Sequence, residues 1–489
     1  MSRNLHRIAF AAALVLSAPM APRALAAAPP AVDAAGAQAI VDGVHALLVE
    51  MLGGFAPAAS LLTATVQGDH YHIEIPIAHR WEGGSIGGDS AGADLTPLGD
   101  GRWQIAKGTL PGRVEIDADH PPPGQPKTTV VTAKDFSVAG VIDTTLATET
   151  KLTDTAQGLD IQTSGPGTIG HGTLTDLAGA LTVSPAQDGR VAVVSTGTAH
   201  NYVLTHTSGN DSFNIAVQKL AGTTRVEGLS FPALRAAFHT LSTMAALPPP
   251  APGKPTDPAT AKALHTFIAA LADSATAMTF EGNDDGISFK GPDPVQGSIE
   301  HLGFDFETGD KGGETALALG FDVRGLSLPA LPPGTATTFV PKRVLFHVAF
   351  SGLDSATLHK SLDEGVDEPT PGAAMGLIMA ALAAHPATVA IDKLDIETGP
   401  ATITGHGTLT TNGPSHTEGH ALVRATGVDA AIQALSSDPQ AKGALGMLIF
   451  LKGLARPDGD GLVWNVTFDG QKLLVNGTDV STLGSPKPQ

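Results

Sequence analysis

Three residues near the start of the chain have the types and spacing of a metal site: His70, His72 and Glu74, in the run His70-Tyr71-His72-Ile73-Glu74. In an extended strand, residues i, i+2 and i+4 share a face, so two imidazoles and a carboxylate would be offered together, with His79 as a fourth ligand. The competing reading is a solvated polar face with Tyr71, Ile73 and Ile75 packed inward. A second pair, His171 and His406, stands in a duplicated Gly-His-Gly-Thr. A histidine between glycines on a strand is ordinarily a surface or edge residue. Gly88-Asp89-Ser90-Ala91-Gly92 matches the spacing of a nucleophile elbow, which requires a buried strand before it and a helix after it. Gly83-Gly84-Ser85-Ile86-Gly87 before it and Ala93-Asp94-Leu95-Thr96-Pro97 after it supply neither. Asp284-Asp285 and Asp458-Gly459-Asp460-Gly461 read as acidic turns without the ligand spacing of an EF-hand loop. There is no P-loop, no H-E-x-x-H and no dinucleotide fingerprint. No catalytic residue and no cofactor is assigned, and the sequence leans away from an enzyme.

Composition narrows the classes further. The chain has 489 residues, 29 Lys and Arg against 48 Asp and Glu, and no cysteine. Disulfides, thiolate metal sites and a lipoprotein tether are therefore excluded together. The first residues resemble a cleavable signal peptide. Arg3 and Arg7 form a basic start, Ile8 to Ser17 an apolar run of ten, and Ala24-Leu25-Ala26 a small-x-small cut site. The run is short of the roughly 20 apolar residues a spanning helix needs. Cleavage after Ala26 removes Arg3, Arg7 and Arg23 and no acids, leaving 26 basic against 48 acidic residues, so the formal charge moves from −19 to −22. Such a surface repels nucleic-acid phosphates and anionic membranes alike, so bulk electrostatics points to neither as a partner. The expected address is the periplasm, with the extracellular space as the alternative and no transmembrane span in the mature chain.

The elements that must position any site are mainly strands. Ala34 to Leu52 carries apolar residues at helical spacing, with Asp33 placed to cap it and Gly53-Gly54 to stop it. From Leu61 to about Val226, short alternating runs rich in Thr and Val (TATVQ, YHIEIPI, GRVEIDA, KTTVVTA, FSVAGVI, RVAVVST, FNIAVQK) are separated by Gly, Pro, Asn and Asp. That is period-two strand patterning with frequent turns. Residues 248–258 (PPPAPGKPTDP) read as a linker, because Pro lacks the amide a sheet interior requires. It divides 27–247, an N-terminal helix plus a β-rich domain, from 259–484, a β-rich domain with apolar helices. Thr260 to Ala275 is helical by pattern, and strands resume at Met278. Pro-rich bends fall at 329–333 and 368–371. Two short apolar helices are expected at 372–384 and 441–455, most simply as core helices packed on a sheet, with a lipid-contacting helix as the alternative because their apolar character runs nearly all round.

Internal repeats suggest a recurring unit. Residues 159–175 align without gaps to 394–410, with ten of seventeen positions identical, and read as strand, Gly/Pro turn, strand. Val226-Glu-Gly-Leu-Ser-Phe-Pro-Ala-Leu234 recurs as Val323-Arg-Gly-Leu-Ser-Leu-Pro-Ala-Leu331, with looser versions at 350–356 and 425–431. Ser230, Ser327, Asp354 and Asp429 in these copies suit an N-cap, although Pro332-Pro333 leaves little room for a helix after Ser327. The fold class expected is mainly β (β-rich α+β): elongated, antiparallel, with curved sheets, repeated strand-then-helix units and short covering helices.

Residues 370–483 carry an apolar helix, then ValAlaIleAspLysLeuAspIle (389–396), GlyThrLeuThr (407–410) and HisAlaLeuValArgAlaThrGlyValAspAla (420–430). A second apolar helix follows, then LeuValTrpAsnValThrPhe (462–468) and LysLeuLeuValAsnGly (472–477). This order resembles the C-terminal part of an alphaproteobacterial envelope family, a domain of unknown function. In style it is similar to larger envelope proteins of the AsmA and YdgA type. The resemblance implies curved sheets with an apolar concave face, and it transfers no catalytic residue. The leading expectation is a non-enzymatic envelope protein that binds lipid or another apolar small molecule between sheet and helices. The alternatives are a periplasmic hydrolase using His70 and His72 with a metal, and a structural module pairing with another envelope protein through exposed strand edges.

Overall fold

The computed structural model describes residues 32–52, 58–81, 84–99, 101–119, 126–143, 150–209, 211–234, 273–292, 294–310, 314–329, 335–354, 386–411, 417–437 and 442–481, with a few helical positions between 236 and 270. The proposed signal peptide, linker, 329–333 bend beyond residue 329, 368–371 bend and 372–384 helix lie outside the described residues. The chain divides into two units: residues 1–246 with 273–275 and 290–292, and residues 247–272, 276–289 and 293–489. Strands dominate both and every ladder is antiparallel, so the mainly β expectation is met.

In the first unit α1 (Ala34–Leu52) leads into β1 (Thr63–Gln67), β2 (His70–Ile75), β3 (His79–Trp81), β4 (Gly84–Gly88), β5 (Ala91–Gly99), β6 (Arg102–Thr109) and β7 (Arg113–Ala118). Then come β8 (Thr128–Thr132), β9 (Asp135–Asp143), β10 (Thr150–Gly165), β11 (Thr168–Pro185), β12 (Val191–Ser208) and β13 (Asp211–Leu229). Asp33 caps α1 as expected, its carboxylate accepting the Gly36 amide at 2.8 Å. The apolar stripe of α1 places Ala37 and Ile40 against Tyr71, Ile73 and Ala93, all buried. The backbone forks at β10. One edge of that strand pairs with β11 along its length; the other pairs with β9 over residues 151–157 and with β8 over 160–164. From the fork run two ribbons, β9–β6–β5–β2–β1 and β8–β7–β4–β3.

The four long strands β10 to β13 change phase together. Buried and exposed residues alternate along each, as a strand with one inward face requires. In β10 the outward positions are 151, 153, 155 and 157 and then 162 and 164; in β11 they are 169 and 171 and then 178 and 180. In β13 Val217 is buried while Gln218 and Lys219 are both exposed. The change falls on one row, where the ladders skip Gly158 opposite Thr175 and Asn201 opposite Gln218. Gly158 (φ 57°) and Asn201 (φ 54°) take left-handed backbone there, which rotates the following residues onto the other pleat. As a result Leu152, Leu181, Leu177 and Leu220 on one side of the row lie on the same face as Leu159, Leu174, Val217 and Ile215 on the other.

The second unit holds β14 (Ala277–Lys290, up to Phe289), β15 (Gln296–Asp310), β16 (Glu314–Arg324), β17 (Arg343–Asp354), β18 (Ala387–Glu397), β19 (Thr402–Thr411) and β20 (Thr417–Thr426). Then follow α2 (Val428–Ser436), α3 (Lys442–Leu454), β21 (Arg456–Asp458), β22 (Gly461–Phe468), β23 (Leu473–Val475) and β24 (Thr478–Asp479). The ladder runs β15–β16–β17–β18–β19–β20–β22, with β21 and β23 sharing the far edge of β22 and β24 beyond β23. Its core gathers Ala425, Val428, Trp464 and Val475.

Four expectations change in detail. The near-identical repeats both form hairpins, but with different turns. The first turns tightly at Pro166-Gly167 between Gly165 and Thr168, where Gly167 takes φ 76°. The second has Ala401 after Pro400, and a side chain disfavours that φ, so the loop widens to Thr398–Ala401, closed by the Thr398 hydroxyl on Ala401. Asp284-Asp285 is no turn; both lie inside β14. Ser230 caps a helical turn through the Ala233 amide, whereas the cap of α2 is Gly427 (φ 71°) and Asp429 sits inside the first turn. Ser327 starts no helix and bridges Ser298. Finally, the 441–455 helix is no core helix. It packs on the unit through Leu448 and Leu454 and leaves Met447, Ile449, Phe450 and Leu451 exposed.

The phase change makes a stability prediction. Asn201→Gly should leave the thermal midpoint nearly unchanged. Asn201→Val should cost about 1–3 kcal/mol in a denaturant titration, because a β-branched residue resists φ 54°. Equal midpoints for the two variants would refute the strain.

Candidate functional site

Register alone assembles an apolar face on the second unit. Residues paired across an antiparallel ladder share a side of the sheet. The pairing sets Phe304, Phe321, Phe346 and Leu394 in one row and Leu302, Val323, Val344, Ile396, Ile403, Ala425 and Leu462 in the next. A third row holds Phe306, Leu319, Val348, Ile391, Ala421 and Val466. Rings meet at a tilt along the first: Phe280 to Phe304 at 5.9 Å between centroids with 50° between planes, Phe304 to Phe321 at 5.1 Å with 53°. An apolar sheet face is normally sealed by a second layer. Here Phe321 is 42% exposed, Leu409 40%, Phe280 37% and Ile391 36%.

The opposite face of the same strands is charged. Arg324 clamps Asp322 through its Nε and Nη2; Arg343 donates to Asp395 at 3.2 Å; His301 meets Asp285 at 2.7 Å and His347 meets Asp392 at 2.9 Å. The hydrogen bond from Arg324, helped by the charges of Arg324 and Arg343, holds the Asp322 carboxyl below its usual range. Paired charges facing water are ordinary, so the asymmetry of the sheet is carried by its apolar side.

The first unit repeats the theme with a polar element on its apolar face. Gly179, Gly197 and Gly222 lie side by side on β11, β12 and β13, opposite Asp154 on β10. The Asp154 carboxylate leans over this strip: a Cβ on Gly179 would stand 2.3 Å from its Oδ1. Burial raises the Asp154 carboxyl, and burial likewise raises the Tyr202 hydroxyl farther along the same face. In the second unit Asp284 alternates to the side opposite Asp285, and burial, reinforced by the Asp285 charge, raises it too.

The residues singled out from sequence are placed as follows. His70, His72 and Glu74 share one face of β2, while Tyr71 and Ile73 are buried on the other. His70 turns to Asp69 at 3.1 Å and His72 to Asp94 at 2.7 Å, with Glu74 3.8 Å from its other nitrogen. His79 is on β3, in the other ribbon of the fork. Among the described residues no three His, Asp or Glu close around a point as metal ligands. His171 bonds Asp160 at 2.7 Å, but the repeat counterpart Asp395 goes to Arg343 instead, so the duplicated histidines do not share a chemistry. Ser90 lies in the link between β4 and β5, with no helix behind it. An open depression of about 480 Å³ nearby is lined by Ser85, Asp89, Arg113, Glu115 and Asp117 and not by Ser90. Asp458 and Asp460 do form a turn, between β21 and β22.

The residues that build the apolar face, and Asp154 upon it, were not singled out from sequence, yet a signal existed. In β10 to β13 the apolar spacing jumps from two to three residues once per strand, as at Leu174 and Leu177 and at Val217 and Leu220. Comparison with protein-family models, with curated proteins and with solved structures finds no match to this chain.

Asp154 makes the apolar face testable by pH. Its folded pKa is raised above the unfolded value, so its contribution is fully present below the unfolded pKa and is lost as pH rises through the folded pKa. Asp154→Asn removes that loss. The variant should therefore be more stable than the parent at pH 7, with the gain vanishing below about pH 4, where both forms are neutral. A stability difference independent of pH would contradict this.

Proposed function

We propose that this is an exported, non-enzymatic protein of the bacterial envelope that binds lipid or another apolar ligand along the apolar face of its sheets. One observation carries the reading: the apolar face of the second unit, which α2 and α3 cover around Ala425 and Trp464 and which elsewhere leaves Phe280, Phe321, Ile391 and Leu409 36–42% exposed. Contiguous apolar surface of this kind marks a place where something apolar docks. The interior of a paired sheet offers no free donors from its backbone, so a ligand held there is selected by area and not by hydrogen bonds. That suits acyl chains. The basic start, short apolar run and small-x-small cut site support an address in the periplasm. The resemblance of residues 370–483 to an alphaproteobacterial envelope family supports the same setting. Among the described residues no helix is long and apolar enough to cross a membrane.

The test is ligand capture. Organic extraction of the purified protein should return lipid, and a fluorescent fatty acid should gain intensity on mixing with the protein. Replacing Ile391 and Leu409 together by Asp should cut that uptake at least tenfold. Uptake that survives the double substitution, or an empty extract with no uptake by the parent, overturns the reading.

A further inference from the structure

The helix α3 inverts the usual surface pattern. Leu445, Leu448 and Lys452 are partly buried, recur every three or four residues and define the packed side, and Leu454 packs at the helix end. The side away from them carries Met447 (62% exposed), Phe450 (41%) and Leu451 (38%), with Ile449 (53%) at its margin. Between these stand Gly443, Gly446 and Gly453, around which an added Cβ would meet nothing within 4 Å. No polar side chain interrupts this outward face, where a soluble helix ordinarily places its charges. Beneath it the helix is anchored: Trp464 donates its indole hydrogen to the Leu451 carbonyl at 2.8 Å.

Charge selects the occupant. In a chain of net charge −19, residues 439–457 contain Lys442, Lys452 and Arg456 and no acid. Lys452 pairs with Asp429, a contact in open water of small worth that a phosphate can replace. Arg456 is exposed and donates to the Asn476 carbonyl at 3.2 Å. A second copy of the same helix would bring basic residues against basic residues with no acid on the face to neutralise them. A phospholipid surface instead offers acyl chains to the apolar face and phosphates to its basic flanks.

We propose that α3 docks the protein on a phospholipid bilayer, with Met447, Phe450 and Leu451 entering the acyl boundary and the exposed Arg456, just past the helix end, at the level of the phosphates. The overall negative charge does not forbid this, because repulsion from the rest of the chain is screened beyond about 10 Å at 0.1 M salt. The proposal concerns a surface other than the sheet face and stands without it.

The full chain and its Met447→Asp/Phe450→Asp variant are compared by flotation with vesicles of phosphatidylcholine and phosphatidylglycerol in a 3:1 mixture. The parent should float, and the variant should lose at least tenfold of its vesicle-bound fraction at an unchanged thermal midpoint, since both side chains are exposed. Vesicles of phosphatidylcholine alone should bind the parent several-fold less. Equal flotation of parent and variant overturns the proposal. So does light scattering that finds the lipid-free parent dimeric and the variant monomeric, which would make the face a self-association surface. Uptake of fluorescent fatty acid from a cyclodextrin donor should be unchanged in the α3 variant. Failure of the bilayer proposal and failure of the sheet-face reading are thereby told apart.

Discussion

A strand turns its side chains to alternate sides, and everything in this protein follows from keeping one of those sides apolar over a great length. Strands of sixteen to nineteen residues, as β10 to β13 are, rarely hold a perfect alternation. Here the alternation slips once, and all four strands slip on the same row. Left-handed backbone at Gly158 and Asn201 absorbs the slip, so that Leu152 and Leu159 end on the same face. Without that row, one half of each strand would present its leucines to water and its threonines and charges to the apolar side.

The asymmetry recurs in the second unit by different means. There Phe304, Phe321 and Phe346 fall in register without a shift, and the opposite pleat collects Asp322, Arg324, Arg343, His347 and their partners. Carboxyls stand on the apolar faces at Asp154 and Asp284, and burial raises both. A carboxylate held on an apolar face opposes folding at neutral pH.

The histidine motifs illustrate how spacing misleads. His70, His72 and Glu74 share a face as their period demands, but each histidine finds a nearer acid outside the motif, Asp69 or Asp94. Asp94 comes from β5, twenty-two residues away, and only the β2–β5 ladder brings it there. The duplicated Gly-His-Gly-Thr fares likewise: His171 pairs with Asp160, whereas the counterpart Asp395 is taken by Arg343 from β17.

Local rules written into the residues were enough for the strands, for α1 with its Asp33 cap, for the hairpin character of both repeats and for the absence of a helix behind Ser90. Those features depend on neighbours within a few positions, and period-two patterning, capping and turn chemistry act at that range. Three matters depended on residues far apart in the chain. The fork at β10 exists because two different strands compete for one edge. The apolar face exists because register, which no single strand specifies, lines up Phe304 with Phe321 and Phe346. The exposure of α3 is the clearest case: its residues read as a core helix, since apolar composition calls for burial, yet composition cannot say by what. Only the packed unit, which occupies Leu448 and Leu454 and leaves Met447 and Phe450 in the open, decides that the helix faces outward.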